Sequence, residues 1–264
     1  MANVGGRFTR LWDGRIGLRK FQDGSDGGPR LLAFPYAGGQ SLAFRSLAKE
    51  LPDSWGAWAI DPPGHGWSAG PPLDDISDMV DAYLEYLPKD LLAGTVLMGH
   101  SLGGCLVFAL AQRLKALGIE PRALILSGTR PPHRKDDYES FHTMDDQRLL
   151  EVLIQVGGIP SAWADDPEVF NHFKEALRAD FRAFENFEIT SPLEGENVFV
   201  IGGLEDIVCR PEHIFEWSQF CPGCRVDFVS GEHLFLQTNA AMVARRIQSF
   251  LAGPSSPPAR GAKT

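Results

Sequence analysis

Ser101 stands at the centre of Gly99-His100-Ser101-Leu102-Gly103-Gly104, a G-x-S-x-G turn with an apolar run before it and an apolar-periodic segment after it. The order reads as strand, tight turn, helix, with the serine at the apex. Glycines two residues to either side suit a turn whose two backbones nearly touch. The apex residue is expected to be held at positive φ, which projects its hydroxyl into open space. Leu102 would then be the first residue of the helix, its N–H free of any helical carbonyl and available to an oxyanion.

A serine hydroxyl is a weak nucleophile at neutral pH. It needs a base, usually histidine, and the base needs an orienting carboxylate. On a strand–turn–helix serine the chain order is serine, acid, histidine. Of the seven histidines, His233 fits, in the loop Ser230-Gly231-Glu232-His233 after an apolar strand. His213 reads as a surface residue of a helix after Pro211. His65 and His100 read as turn or packing residues and are assigned no chemistry. The acid should follow the preceding strand, where Glu205 and Asp206 both stand. Asp206 is preferred because Ile207-Val208 would pin its loop. A second oxyanion donor should come from the loop after an early strand, Phe34-Pro35-Tyr36-Ala37-Gly38-Gly39. The N–H of Ala37 is the first candidate and that of Tyr36 the second.

Buried parallel strands are expected over 30–34, 58–60, 96–98, 123–127, 198–201 and 226–229, with helices after residue 40 and over 73–87, 102–117 and 239–251. Residues 16–21 read as a short edge strand. Strands alternating with helices, several strands apolar throughout, imply an α/β fold: a mostly parallel central sheet with helices on both faces. About seventy residues separate the strands ending at Ser127 and beginning at Val198, where one crossover needs only a dozen or so. The excess holds helical patterns at 145–156 and 167–187. Phe170, Phe173, Phe181 and Phe184 recur there at helical spacing. This interval, about 130–192, is expected to be a helical lid inserted into a domain spanning 15–251. Residues 1–14 read as a loose leader and 252–264 as a disordered tail.

The formal net charge of −9 argues against nucleic acid as the partner. No stretch of eighteen or more apolar residues occurs, so no membrane span is expected. The first twenty residues show no apolar signal region, and the four cysteines are scattered. A reduced, cytoplasmic protein is therefore expected. Cys221-Pro222-Gly223-Cys224 has redox spacing without a partner pair. No metal or cofactor is implied.

Phe34-Pro35-Tyr36-Ala37-Gly38-Gly39, Gly99-His100-Ser101-Leu102-Gly103-Gly104, Gly202-Gly203-Leu204-Glu205-Asp206-Ile207-Val208 and Gly231-Glu232-His233-Leu234-Phe235-Leu236 together resemble the type II thioesterases of nonribosomal peptide and polyketide biosynthesis, on the α/β-hydrolase fold. The resemblance spans about residues 15–251. It departs from the family's common residues at Tyr36, at Leu102-Gly103-Gly104 and at Asp61-Pro62-Pro63-Gly64-His65-Gly66, which bear on acyl preference.

The resemblance implies a free-standing, monomeric serine thioesterase that removes stalled or misprimed acyl groups from the phosphopantetheine arms of acyl or peptidyl carrier proteins, with acyl-CoA a further possible substrate. It implies Ser101, Asp206 and His233 as the triad, with Ala37 and Leu102 as oxyanion donors. The same residues would serve a small-molecule carboxylesterase. A non-catalytic binding protein on this scaffold would be expected to have lost one of them. Arg130, Arg134 and Lys135, just after a strand end, form a candidate basic patch for the arm's phosphate or an acidic carrier.

Overall fold

The computed structural model describes residues 7–133, 139–155, 159, 167–195 and 197–253. In chain order the elements are β1 (Arg7–Leu11), β2 (Ile16–Gln22), β3 (Arg30–Phe34), α1 (Arg45–Glu50), β4 (Gly56–Asp61), α2 (Ile76–Tyr86), α3 (Lys89–Leu92), β5 (Val96–His100), α4 (Leu102–Ala116), β6 (Ala123–Ser127), α5 (Asp146–Gln155), α6 (Pro167–Asn186), β7 (Val198–Gly203), α7 (Pro211–Ile214), β8 (Arg225–Val229), α8 (Phe235–Thr238) and α9 (Ala240–Leu251). Among the described residues the strands form one eight-stranded sheet, ordered β1-β2-β4-β3-β5-β6-β7-β8. Strands β3 to β8 run parallel, while β2 is antiparallel to both β1 and β4. With helices on both faces this is the α/β-hydrolase architecture.

The apolar strands are two-faced at the level of single residues. Successive side chains of a strand point to opposite faces, so Leu32, Phe34, Leu97, Leu124, Leu126, Val198 and Val200 join the core under α2 and α4. Their neighbours Leu31, Ala33, Val96, Met98, Ile125, Phe199 and Ile201 join the core under α1 and α9. A strand covered on both faces offers no solvated position for a polar side chain, which is why these runs read as apolar until their last residues. A third, smaller core of Met144, Leu149, Leu153, Phe170 and Leu177 lies in the insertion between β6 and β7, on α5, α6 and the turn before α5.

Two expectations are corrected near the N-terminus. Residues 7–14 are not a loose leader: Arg7–Leu11 is a strand paired along its length with β2, followed by a short 3-10 turn at Trp12–Gly14. Strand β2 is accordingly not an edge strand, because β1 covers it. The polar composition of β1 hid it, as suits the exposed last strand of a sheet. Residues 1–6 and the tail from 254 lie outside the described residues, as do Arg134 and Lys135. Among the described residues no helix is long and apolar enough to cross a membrane.

Candidate active site

The parallel register brings the C-terminal ends of the strands to one edge of the sheet. Phe34 pairs with Gly99, His100 with Ser127, and Gly203 with Val229. The loops leaving β3, β5, β7 and β8 at that edge carry Ala37, Ser101, Asp206 and His233. Open α/β sheets bind ligands at this end.

Ser101 has φ 55° and ψ −119°, as the turn between β5 and α4 requires. The flanking glycines are steric necessities. A Cβ on Gly99 would lie 1.8 Å from the Gly103 carbonyl oxygen, and one on Gly103 would lie 2.2 Å from that of Phe34. The second contact shows that the turn is squeezed against β3 as well as against itself.

His233 Nε2 lies 3.1 Å from Ser101 Oγ, and His233 Nδ1 lies 2.9 Å from Asp206 Oδ2. The ionised carboxylate only accepts, so Nδ1 carries the proton and Nε2 is left bare toward the serine. Asp206 is buried, and its other oxygen accepts the N–H groups of Val208 at 2.9 Å and Cys209 at 2.8 Å. Those two donors fix the carboxylate. The expected apolar pin is only half present, since Ile207 is 62% exposed while Val208 is half-buried against the inner cavity. Glu205 is exposed and turns to another task, accepting the N–H of Gly231 in the loop that carries His233.

His100, assigned no chemistry from sequence, is fully buried directly beneath this arrangement. Its Nε2 lies 2.8 Å from the carbonyl oxygen of His233, which can only accept, so Nε2 donates. Its Nδ1 therefore takes the hydroxyl proton of Ser127 at 3.0 Å. Burial holds its pKa well below the ordinary 6.5, and the ring is a neutral strut under the loop of His233. Its place beside Ser101 was the available signal, but nothing in the sequence showed that the last residue of β5 would point at residue 233.

Ala37, Ser101, Leu102 and His233 line one cavity of about 50 Å³. Phe141, Phe181 and Phe184 close it from the insertion side, and Val208 and Cys209 from the sheet side. Phe170 and Phe173 stand elsewhere: Phe170 is in the insertion's own core, and Phe173 lines a neighbouring cleft of about 920 Å³ that shares Ala37 as a wall. Arg130 is only 8% exposed and lines the inner cavity, its guanidinium 5.8 Å from the centre of the Phe184 ring. It is not part of a surface patch. In the 36–39 loop the N–H of Gly38 goes to Asp180 of α6. Tyr36 is held by its hydroxyl, which accepts from Gln237 Nε2 at 2.8 Å. All four cysteines are free thiols, and burial pushes that of Cys221 up to about 12.

Residues 29–251 match the thioesterase domain family. The chain is 29% identical to linear gramicidin dehydrogenase LgrE of Brevibacillus parabrevis, with 84% of this chain and 89% of that protein aligned. It is 28% identical to a probable cadicidin biosynthesis thioesterase of Streptomyces griseus, over 92% of this chain and 68% of that one. Among solved structures it is similar to the type II thioesterase BorB from the borrelidin biosynthetic cluster, with a TM-score of 0.78 and 26% identity over 89% of this chain and 97% of the other.

Proposed function

The chain belongs to the thioesterase family, and from that premise we propose that it hydrolyses acyl groups from the phosphopantetheine arms of carrier proteins through a Ser101–His233–Asp206 triad. The observation that carries this reading is the unbroken hydrogen-bonded chain from Ser101 Oγ through His233 to Asp206, beside a cavity walled by Ala37 and Leu102.

The chemistry follows from those positions. His233 Nε2 takes the proton of Ser101 as Oγ attacks the thioester carbonyl carbon. Asp206 holds the ring and steadies the imidazolium that forms. The N–H groups of Leu102 and Ala37 take up the charge that develops on the carbonyl oxygen. The C–S bond then breaks, and the leaving thiolate receives the proton from His233. A water molecule gives a proton to the same nitrogen and attacks the acyl-enzyme. The acid leaves and Ser101 recovers its proton.

The two cavities suit a substrate delivered on an arm. In this reading the pantetheine lies in the larger cleft, the acyl group in the inner cavity, and α5 and α6 form the lid over both. The partner is an acyl or peptidyl carrier protein, and the role is editing of stalled or misprimed chains.

The test is parallel hydrolysis of acyl-carrier, acyl-CoA and oxygen-ester forms of one acyl group, with Ser101→Ala as control. The acyl-carrier form should have the highest kcat/KM. Ser101→Ala should fold, lose labelling by a serine-directed phosphonate, and lose several orders of magnitude in kcat. Preference for the oxygen ester would point to a carboxylesterase, and labelling that persists at another serine would end the triad assignment.

A further inference from the structure

Asp180 lies on α6, is 2% exposed, and joins three elements. Its Oδ2 accepts the N–H of Gly38 at 2.7 Å and lies 2.8 Å from His65 Nε2. His65 Nδ1 is 2.9 Å from the carbonyl oxygen of Pro63. That carbonyl only accepts, so Nδ1 is protonated. Nε2 faces a carboxylate, so it is protonated too, and the ring is an imidazolium. Burial alone would lower the pKa of His65. The charge and hydrogen bond of Asp180, then the Pro63 carbonyl and the charge of Asp61, outweigh burial and raise it. Asp61 at the end of β4 holds the N–H groups of Ser41 and Trp67, and Tyr83 of α2 brings a buried hydroxyl near both carboxylates.

An ion pair this enclosed adds little stability over apolar side chains of the same volume. Its effect here is geometric. The N–H of Gly39 bonds the carbonyl of Tyr36 at 2.8 Å and Gly38 has φ +72°, so residues 36–39 form a type II turn. Types I and II differ by a flip of the central peptide, here Ala37–Gly38. In the type II form the N–H of Gly38 points at the carboxylate. In the flipped form the Ala37 carbonyl would face it and be repelled, so the carboxylate holds the turn in one form; the Ala37 N–H belongs to the preceding peptide and is carried with the turn. One turn before Asp180 on α6, Leu177 fills the space beside Gly38, where a Cβ would come within 2.9 Å of Cδ1.

We propose that Asp180 is a positioning residue for the oxyanion hole: with α6 seated, its carboxylate anchors the 36–39 turn at the Gly38 N–H, one residue beyond the Ala37 N–H that serves the hole. This rests on the reading of Ala37 as an oxyanion donor. Ser101, Leu102, Asp206 and His233 all hang from the sheet. The turn of Ala37 leaves the sheet too, at β3, but it is also tied to the insertion, through the Gly38 N–H. Seating of α6 and steadying of the Ala37 donor are therefore coupled, and with α6 displaced the enzyme keeps its nucleophile while the Ala37 half of the hole loses this anchor.

Asp180→Ala, Asp180→Asn, His65→Gln and Ser101→Ala are compared with Arg182→Gln, which cuts only an exposed ion pair to Asp74 on the same helix. Each is assayed for kcat and KM on an acyl-pantetheine thioester. Each is also titrated with an alkyl boronic acid, whose tetrahedral adduct fills the hole, and with a non-hydrolysable thioether analogue. Asp180→Ala should lower kcat by about 10²-fold, the low end for loss of an oxyanion donor. Boronate affinity should weaken in parallel, while KM and thioether affinity stay within a few-fold. Asp180→Asn keeps an acceptor for Gly38 and should recover most of the loss, and Arg182→Gln should behave as wild type. Should Asp180→Ala not fold, His65→Gln should show the same pattern at smaller amplitude. Unchanged kcat and boronate affinity in Asp180→Ala, or in His65→Gln if it must stand in, overturns the proposal. So does an equal loss of thioether affinity, which would mean a collapsed lid. Full activity in Ser101→Ala would instead overturn the assignment of the site itself.

Discussion

Two adjacent carboxylates, Glu205 and Asp206, separate by environment and not by chemistry. Asp206 is buried, receives two backbone N–H groups on one oxygen and faces His233 with the other. Glu205 is exposed and holds only the backbone of Gly231. Asp206→Asn removes the anion that steadies the imidazolium. It should cost on the order of 10⁴ in kcat, as the corresponding change does in trypsin-like proteases. Glu205→Gln keeps an acceptor for Gly231 and should cost less than about tenfold, since a single exposed hydrogen bond is worth about 1 kcal/mol. Steady-state kinetics of the two variants decides, and the reverse ranking would exchange their roles. The sequence reading prefers Asp206, and Asp206 is the one that faces His233, but for a reason the sequence does not show. The carboxylate is held by backbone donors, which every residue carries and no sequence displays.

The unit of β5, its turn and α4 is the element most completely written in the sequence, because its constraint is local. Two backbones come within contact distance over five residues, and only glycine fits. Gly103→Ala places a methyl 2.2 Å from the Phe34 carbonyl oxygen, a backbone atom with no rotamer to yield. It should destabilise the fold by about 3 kcal/mol or more, the upper range for overpacking. For a chain of this size that is a fall in Tm of roughly 6–12 °C, measurable by calorimetry. The insertion was legible in part. The length of the interval and the helical spacing of its phenylalanines located α5 and α6. They did not say which ring does what, and Phe181 and Phe184 wall the inner cavity while Phe170 packs inside the insertion. Helical periodicity tells which side of a helix is apolar, but not what faces it.

Across the whole molecule, two buried histidines set opposite limits on stability. The folded-state pKa of His100 is depressed, so the unfolded chain takes up a proton that the folded one refuses. Its contribution is intact above 6.5 and is lost as pH falls below that value. The folded-state pKa of His65 is raised, so its contribution is intact below 6.5 and is lost as pH rises through the folded value. Tm against pH should therefore fall on both sides of a maximum near neutrality. His65→Gln should flatten the alkaline limb and His100→Asn the acid limb, each at a lower plateau. Parallel shifts of the whole curve, with both limbs kept, would show that neither histidine governs the profile.

The sequence by itself determined the elements whose causes are near in the chain: the apolar strands buried on both faces and the glycine-flanked serine turn. It missed β1, whose polar residues form a strand only because β2 lies beside it. It also missed His100, His65 and Asp180, whose partners are 133 and 115 residues away. A buried polar side chain takes its role from whatever satisfies its hydrogen bonds, and for these residues only the tertiary structure supplies that partner.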